Sequence, residues 1–295
     1  MTTPTLDDAE RLPAELIDVF LPLAQAADRR INPGRWLLAD YSRAAHDAFD
    51  THQDAMAWMD VAAPVIRGCI RIATATTRHE EAWQLAEALS GWLHIRKDWQ
   101  LWRCTHEMAE ESARHCGAAA HARMLAALGE YHLWQDQVEV AESYLQRARA
   151  RWAEAAHRLG EASCLEALGT VEMKKDDPGK ARELVTQARD LFATAGRERG
   201  VVLMNRRIGE TYRHEGDYAK ALGFLEHAYR WFEGDGDAYQ RVRCGRSLAL
   251  TLEGLGRAAD AQQLLTDLVN LAESIGAHTD ARELSRLAGP VTAGA

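Results

Sequence analysis

The sequence predicts an all-α chain, a right-handed α-solenoid of antiparallel helix pairs. Three observations carry that expectation. The C-terminal half repeats with a 40-residue period, set by Gly129, Gly169, Gly209 and Ala249. Between Pro64 and Pro290 the only proline is Pro178, so a long Ala-, Leu-, Glu- and Arg-rich stretch has almost no helix breaker. The length of 295 residues, 47% hydrophobic and 27% charged, suits one elongated repeat domain or two small globular ones.

The repeat is legible column by column. Leu128, Leu168, Ile208 and Leu248 precede the glycine column. Ala141, Ala181, Ala221 and Ala261 follow it, and then Leu145, Val185, Leu225 and Leu265. Ala148, Ala188, Ala228 and Leu268 complete the pattern, with Pro178 in one of the matching turns. Two antiparallel helices need small residues where their backbones approach. The apolar residues spaced four and seven apart line one helix face. A single pair cannot bury that face alone, so it packs on the next pair.

These residues resemble the tetratricopeptide repeat, most closely at Ile208, Gly209, Tyr212, Ala221, Leu225 and Ala228. A weaker pair precedes them over 81–113, with Lys97-Asp98-Trp99 at the turn and Ala109 at the late alanine. Trp102 stands there in place of alanine and predicts a splayed pair. Leu12, Leu16, Val19, Phe20 and Leu23 predict a helix over 10–28, and a second is expected from about Asp54 to Thr76, interrupted near Pro64. The expected organisation is an irregular helical N-terminal cap (1–79), a divergent helix pair (80–117), four repeats (118–288) and a disordered tail (289–295).

Ala57-Trp58-Met59-Asp60, Ala82-Trp83, Ala86, and Trp99 with Trp102 extend the likeness. With the 40-residue repeats they resemble the C-terminal module of large actinobacterial antibiotic regulatory proteins. Those proteins join a winged-helix domain and a nucleotide-switch ATPase to a repeat sensor. Ala62 and Val65 depart from that family around Pro64, and no GxxxxGK[ST] loop is present. The resemblance implies a sensor or docking module for transcriptional regulation of specialised metabolism, with DNA binding supplied by a partner.

Counting from the glycine column predicts which residues of each first helix face the concave groove. They include His94, Arg123, Glu130, Leu133, Trp134, Glu166, Thr170, Met173 and Lys174. Arg206, Glu210, Arg213, His214, Arg243, Arg246 and Glu253 continue the set. The candidate partner-binding residues are Arg123, Glu130, Trp134, Lys174, Arg206, Glu210, Arg213, His214, Arg243 and Arg246. Guanidinium forks in that set suit a carboxylate-bearing peptide. The structural alternative is that Arg206, Glu210 and Arg213 are ordinary pairs on a wet helix face. Trp92, His94, Trp99 and Trp102 are candidates for an aromatic pocket, with core packing as the alternative.

Other chemistry finds little support. A formal net charge of −9 disfavours direct binding to nucleic acid or an anionic membrane. No 18-residue apolar run and no signal-peptide pattern is present, so the expected location is cytoplasmic. Cys69, Cys104, Cys116, Cys164 and Cys244 form no CxxC pair and read as small hydrophobes. The histidines show no metal-ligand spacing, and no nucleophile motif occurs, so neither metal nor cofactor is expected. The leading expectation is a non-catalytic scaffold that binds a protein or peptide. A receptor for a small-molecule or peptide signal and a helical-pocket enzyme or biosynthetic accessory protein are the alternatives. A homodimer through exposed Trp or Leu at either end is a further expectation.

Overall fold

The computed structural model describes residues 6–289, with side chains from residue 15 onward. The expected tail lies, beyond Gly289, outside the described residues. The described residues form thirteen helices and no strand, which is the all-α class the sequence predicts. The chain divides into two compact units, residues 1–160 and 161–295.

The first unit holds α1 (Leu6–Ile31), α2 (His52–Ala75), α3 (His79–Arg96), α4 (Trp99–Ala113), α5 (Ala118–Trp134) and α6 (Val138–Glu154). The second is built from α7 (Arg158–Lys174), α8 (Pro178–Thr194), α9 (Glu198–His214) and α10 (Tyr218–Asp235), followed by α11 (Ala238–Gly254), α12 (Ala258–Ser274) and α13 (His278–Ala288). Successive helices pack side by side within each unit.

The glycine column has a direct steric cause. A Cβ on Gly129 would come within 2.7 Å of Leu145, one on Gly169 within 2.7 Å of Val185, and one on Gly209 within 2.8 Å of Leu225. These are the two columns read from the sequence, pressed together across each pair. A second column escaped sequence reasoning. Trp152, Phe192 and Phe232 recur every 40 residues and are buried at 1%, 4% and 0% exposure. Trp152 fills the space a Cβ on Gly160 would need, at 2.2 Å, and Phe192 does the same for Gly200 at 2.5 Å. These aromatic rings join consecutive pairs.

The repeat also has a half-period. A backbone with positive φ closes a helix at Asp136, Ala156, Asp176, Gly196, Gly216, Gly236, Gly256 and Gly276. The spacing is one 17-residue helix, such as α8, plus a three-residue turn. Asp98, Asp177, Asp217 and Asp237 then cap the next helix by accepting a backbone N–H. Thr77 and Lys97 carry the same positive φ at helix ends earlier in the chain, whereas Gly117 takes a positive φ as the N-cap of α5.

One expectation is corrected. The helix around Pro64 is not interrupted: α2 runs through it. Pro64 and Asp60 both lie on the exposed side, where solvent satisfies the carbonyl that proline leaves unbonded. Trp102 is packed between α3, α4 and α5. The indole is 1% exposed and is taken in among His94 of α3, Trp99 of α4 and Tyr131 of α5, at centroid distances of 4.6, 5.9 and 6.4 Å.

Candidate functional site

Within each unit the first helices of successive pairs bond to one another through polar side chains. In the second unit Arg207 of α9 donates to Glu166 of α7 at 3.0 Å, and Ser247 of α11 donates to Glu210 of α9 at 2.8 Å. Arg246 of α11 reaches Glu283 of α13 at 3.2 Å. Charged groups on this face lie against other helices, partly removed from water. Each must therefore find a counter-charge there.

Glu210 is the centre of that network. It accepts from Arg206 Nη1 at 2.8 Å, from Arg207 Nη1 at 3.2 Å and from Ser247. Burial alone would raise its pKa. Arg206 and Arg207, with Ser247 and the charge of Arg243, outweigh burial and lower it to about 2. Burial pulls Arg206 the other way, down to about 10 despite Glu210, with Arg243 and Arg207 adding to the fall. Arg206 thus stays charged at neutral pH. Its Nε and Nη2 are buried and have no hydrogen-bond acceptor, and the same holds for Nε of Arg213. These are unused donors that lie just beneath a charged surface, out of contact with solvent.

The structure distributes the sequence-predicted residues unevenly. Arg206 is only 2% exposed, so it forms a floor rather than a wetted wall. Glu210 is half-buried beneath the arginines, Arg213 and Arg243 are half-buried, and His214, Arg246 and Lys174 are exposed. His214 lies 3.4 Å from Asp176. Arg243 sits over the Tyr239 ring at 5.9 Å. Sequence reasoning missed Arg207 and Ser247, which carry the links between helices.

In the first unit Arg123 donates to the fully buried Glu87 at 2.8 Å, and His94 lies 3.5 Å from Glu130. Trp134 is 38% exposed, beside Trp99 at 5.9 Å and under the Lys97 ammonium at 5.0 Å. The four proposed pocket residues do not converge. His94, Trp99 and Trp102 meet, but Trp92 turns away and donates to Asp60 of α2 at 2.8 Å. The rings that do meet fill the space between them. His106 lies against the same cluster, and burial lowers its pKa to about 4, so the ring is neutral. Its Nδ1 lies 3.0 Å from the Trp102 carbonyl, which can only accept, so Nδ1 carries the proton.

A cleft of about 450 Å³ opens elsewhere in this unit, lined by Arg114, His121, Arg147, Arg151 and Glu154 among others. Its cations are largely engaged. Buried Glu110 holds Arg114 at 2.8 Å and His121 at 2.8 Å, and Arg151 holds Glu154 at 2.7 Å. Leu16, Val19, Val61 and Val65 are exposed on α1 and α2.

Among the described residues no group of three or more His, Cys, Asp or Glu side chains is placed to hold a metal ion. No described helix is long and apolar enough to cross a membrane. Cys69, Cys164 and Cys244 are buried, and burial pushes the Cys244 thiol up to about 12.

Comparison with known proteins agrees with this architecture. The family model described as "Tetratricopeptide repeat" matches residues 120–194 and 201–274, just over half of the chain. No curated protein matches the sequence. A Rap protein solved in complex with Competence and Sporulation Factor is similar in fold, with a TM-score of 0.63 at 12% identity over 92% of this chain and 80% of that one. Aspartyl phosphate phosphatase F from Bacillus subtilis aligns with a TM-score of 0.56 at 11% identity, over 99% of this chain and 82% of that one. A signal-transduction ATPase with numerous domains and a tetratricopeptide repeat sensor, from Pyrococcus horikoshii, gives 0.52 at 14% identity, over 81% of this chain but 40% of that one. At these identities the likeness concerns the fold.

Proposed function

The chain belongs to the tetratricopeptide-repeat family, and on that premise we propose that it is a non-catalytic docking module that binds an acidic peptide on the inner face of α9 and α11. The observation that carries the reading is the set of unused guanidinium donors on α9. Arg206 and Arg213 each keep buried N–H groups without an acceptor. They are seven residues apart, so they share one helix face about 10 Å apart along the axis. A peptide in the polyproline-II conformation covers about 9 Å in three residues and returns residues three apart to the same side. Two carboxylates spaced three residues apart match that separation, one meeting half-buried Arg213 and the other meeting Arg206 as its buried guanidinium turns outward. Guanidinium–carboxylate bonds of this kind are charge-assisted and strong. Arg243, half-buried on α11, adds positive charge beside Arg206.

The Rap protein named above was solved with Competence and Sporulation Factor bound, and the Pyrococcus ATPase carries its repeats as a sensor. Both support a recognition role for repeats of this fold. The likeness to antibiotic regulatory proteins puts the proposed role in transcriptional control of specialised metabolism, in the cytoplasm, with a DNA-binding regulator as partner.

The test is selection from a random-sequence peptide display library on the full chain. Enriched peptides should carry two carboxylates three residues apart. Replacing Arg213 and Arg243 with Glu should weaken their binding tenfold or more, with the circular dichroism spectrum unchanged. Enrichment of uncharged or basic peptides, or unchanged binding by that variant, contradicts the proposal.

A further inference from the structure

The connection between α1 and α2 spans residues 32–51 and contains no helix. Connections of this length without structure of their own are uncommon in compact domains and are often functional. This one is tied down. Leu38 and Ala39 donate their backbone N–H groups to the two oxygens of Glu87, at 3.1 and 2.9 Å. Arg35 donates Nη2 to the Glu87 carbonyl at 3.0 Å and pairs with the buried carboxylate of Asp28. Trp36 lies under the Arg123 guanidinium at 5.0 Å and meets Trp152 edge-on at 6.0 Å. Tyr41 donates its hydroxyl to Asp28 at 2.9 Å.

The chemistry of these contacts is that of peptide recognition. A carboxylate reads two successive amide N–H groups, which any non-proline residues present. A cation over an indole and a paired arginine supply sequence preference. The surface that does the reading, Glu87 of α3 and Arg123 of α5, is the first unit's counterpart of the inner face described for α9 and α11. The fit is incomplete. Asp28 Oδ1 and Arg35 Nε and Nη1 are buried without a hydrogen-bond partner. Unsatisfied groups of this kind in the docked state lower the free energy needed to lift the segment.

We propose that residues 35–41 are an intramolecular peptide ligand, and that the α3/α5 face around Glu87 and Arg123 is a peptide-binding surface for extended segments of the Arg-Trp-x-x type. A partner bearing that pattern displaces the strap and takes its place. The strap holds the surface at the high effective concentration of a tethered ligand, so a free peptide competes poorly until the strap is loosened. This site is separate from the α9/α11 face and stands or falls without it.

The experiment uses the full chain and a fluorescein-labelled peptide of residues 32–44. In wild type the peptide should show no saturable rise in anisotropy. In the variant with Arg35→Ala and Trp36→Ala it should bind saturably, and adding Arg123→Ala should weaken that binding tenfold or more. Arg213→Glu with Arg243→Glu should leave it unchanged, which separates this result from the acidic-peptide test. Equal binding by wild type and the loosened variant overturns the proposal, as does no binding by a loosened variant whose melting curve shows it folded. Should the loosened variant fail to fold, hydrogen exchange on wild type decides. The Leu38 and Ala39 amides should exchange at least tenfold faster than the core amides of α3. Exchange of both at the α3 rate would make the strap a fixed part of the fold and overturn the proposal.

Discussion

Replacing Glu210 with Gln is expected to destabilise the second unit by about 3–5 kcal/mol, because it leaves a buried guanidinium without its counter-charge. Arg206 is 2% exposed, and the only hydrogen bond its guanidinium makes is Nη1 to Glu210. Arg207 suffers less, since Glu166 still accepts from it at 3.0 Å. The destabilisation should therefore be largely reversed by adding Arg206→Met, which removes the stranded charge and keeps the side-chain volume. The pH dependence has a definite sign. Glu210 titrates at about 2 in the folded chain against the ordinary carboxyl value of 4.5, so its contribution is complete above 4.5 and is lost as pH falls toward 2. Chemical denaturation from pH 7 down to pH 3 should show a steeper loss below 4.5 in wild type than in the Gln variant. Equal slopes, or a loss under 1 kcal/mol at pH 7, would show that the pair is not a buried ion pair in solution.

Truncating Trp102 to Ala is expected to cost about 3–5 kcal/mol, the range for removing a fully buried aromatic side chain. The indole is 1% exposed and touches rings from three helices, so no single helix can move in to fill the gap. Its Nε1 is buried without an acceptor, which makes part of the ring's burial costly and a Phe substitution correspondingly mild. Trp102→Phe should lose about 1 kcal/mol or less. Urea melts of both variants check the ordering. A smaller loss for Ala than for Phe would show that the space is not closed.

The regular half of the fold was legible because its constraint is local and repeated. Gly129, Gly169 and Gly209 each face a branched residue sixteen positions on, and the contact leaves no room for a Cβ. The Trp152, Phe192 and Phe232 column was equally periodic. It was hidden by the change of residue type and by its glycine partners lying in the following helix. At Trp102 the residue's volume marked a departure from the regular pair but could not say which neighbours receive the ring. On the candidate site, register alone singled out Arg206 and Glu210. It could not tell that the adjacent Arg207 bridges α9 to α7 while Arg206 is buried. One residue of register turns a helix position by 100°, and depth depends on the neighbouring helix. The strap was illegible because a twenty-residue segment without periodicity leaves no trace of where it docks. A hint existed in Glu87, an acid set between Leu85-Ala86 and Ala88-Leu89, fully buried in the structure.

The most direct test of the docking role is the side-chain NMR spectrum of Arg206. Its Nε–H and Nη2 groups are buried without an acceptor in the free chain. Titrating in an acidic peptide selected on the full chain should shift the Arg206 Nε–H resonance downfield and slow its exchange with water, as a carboxylate takes up the unused donors. Saturable binding of that peptide with the Arg206 resonance unmoved would contradict the claim that these donors receive the ligand.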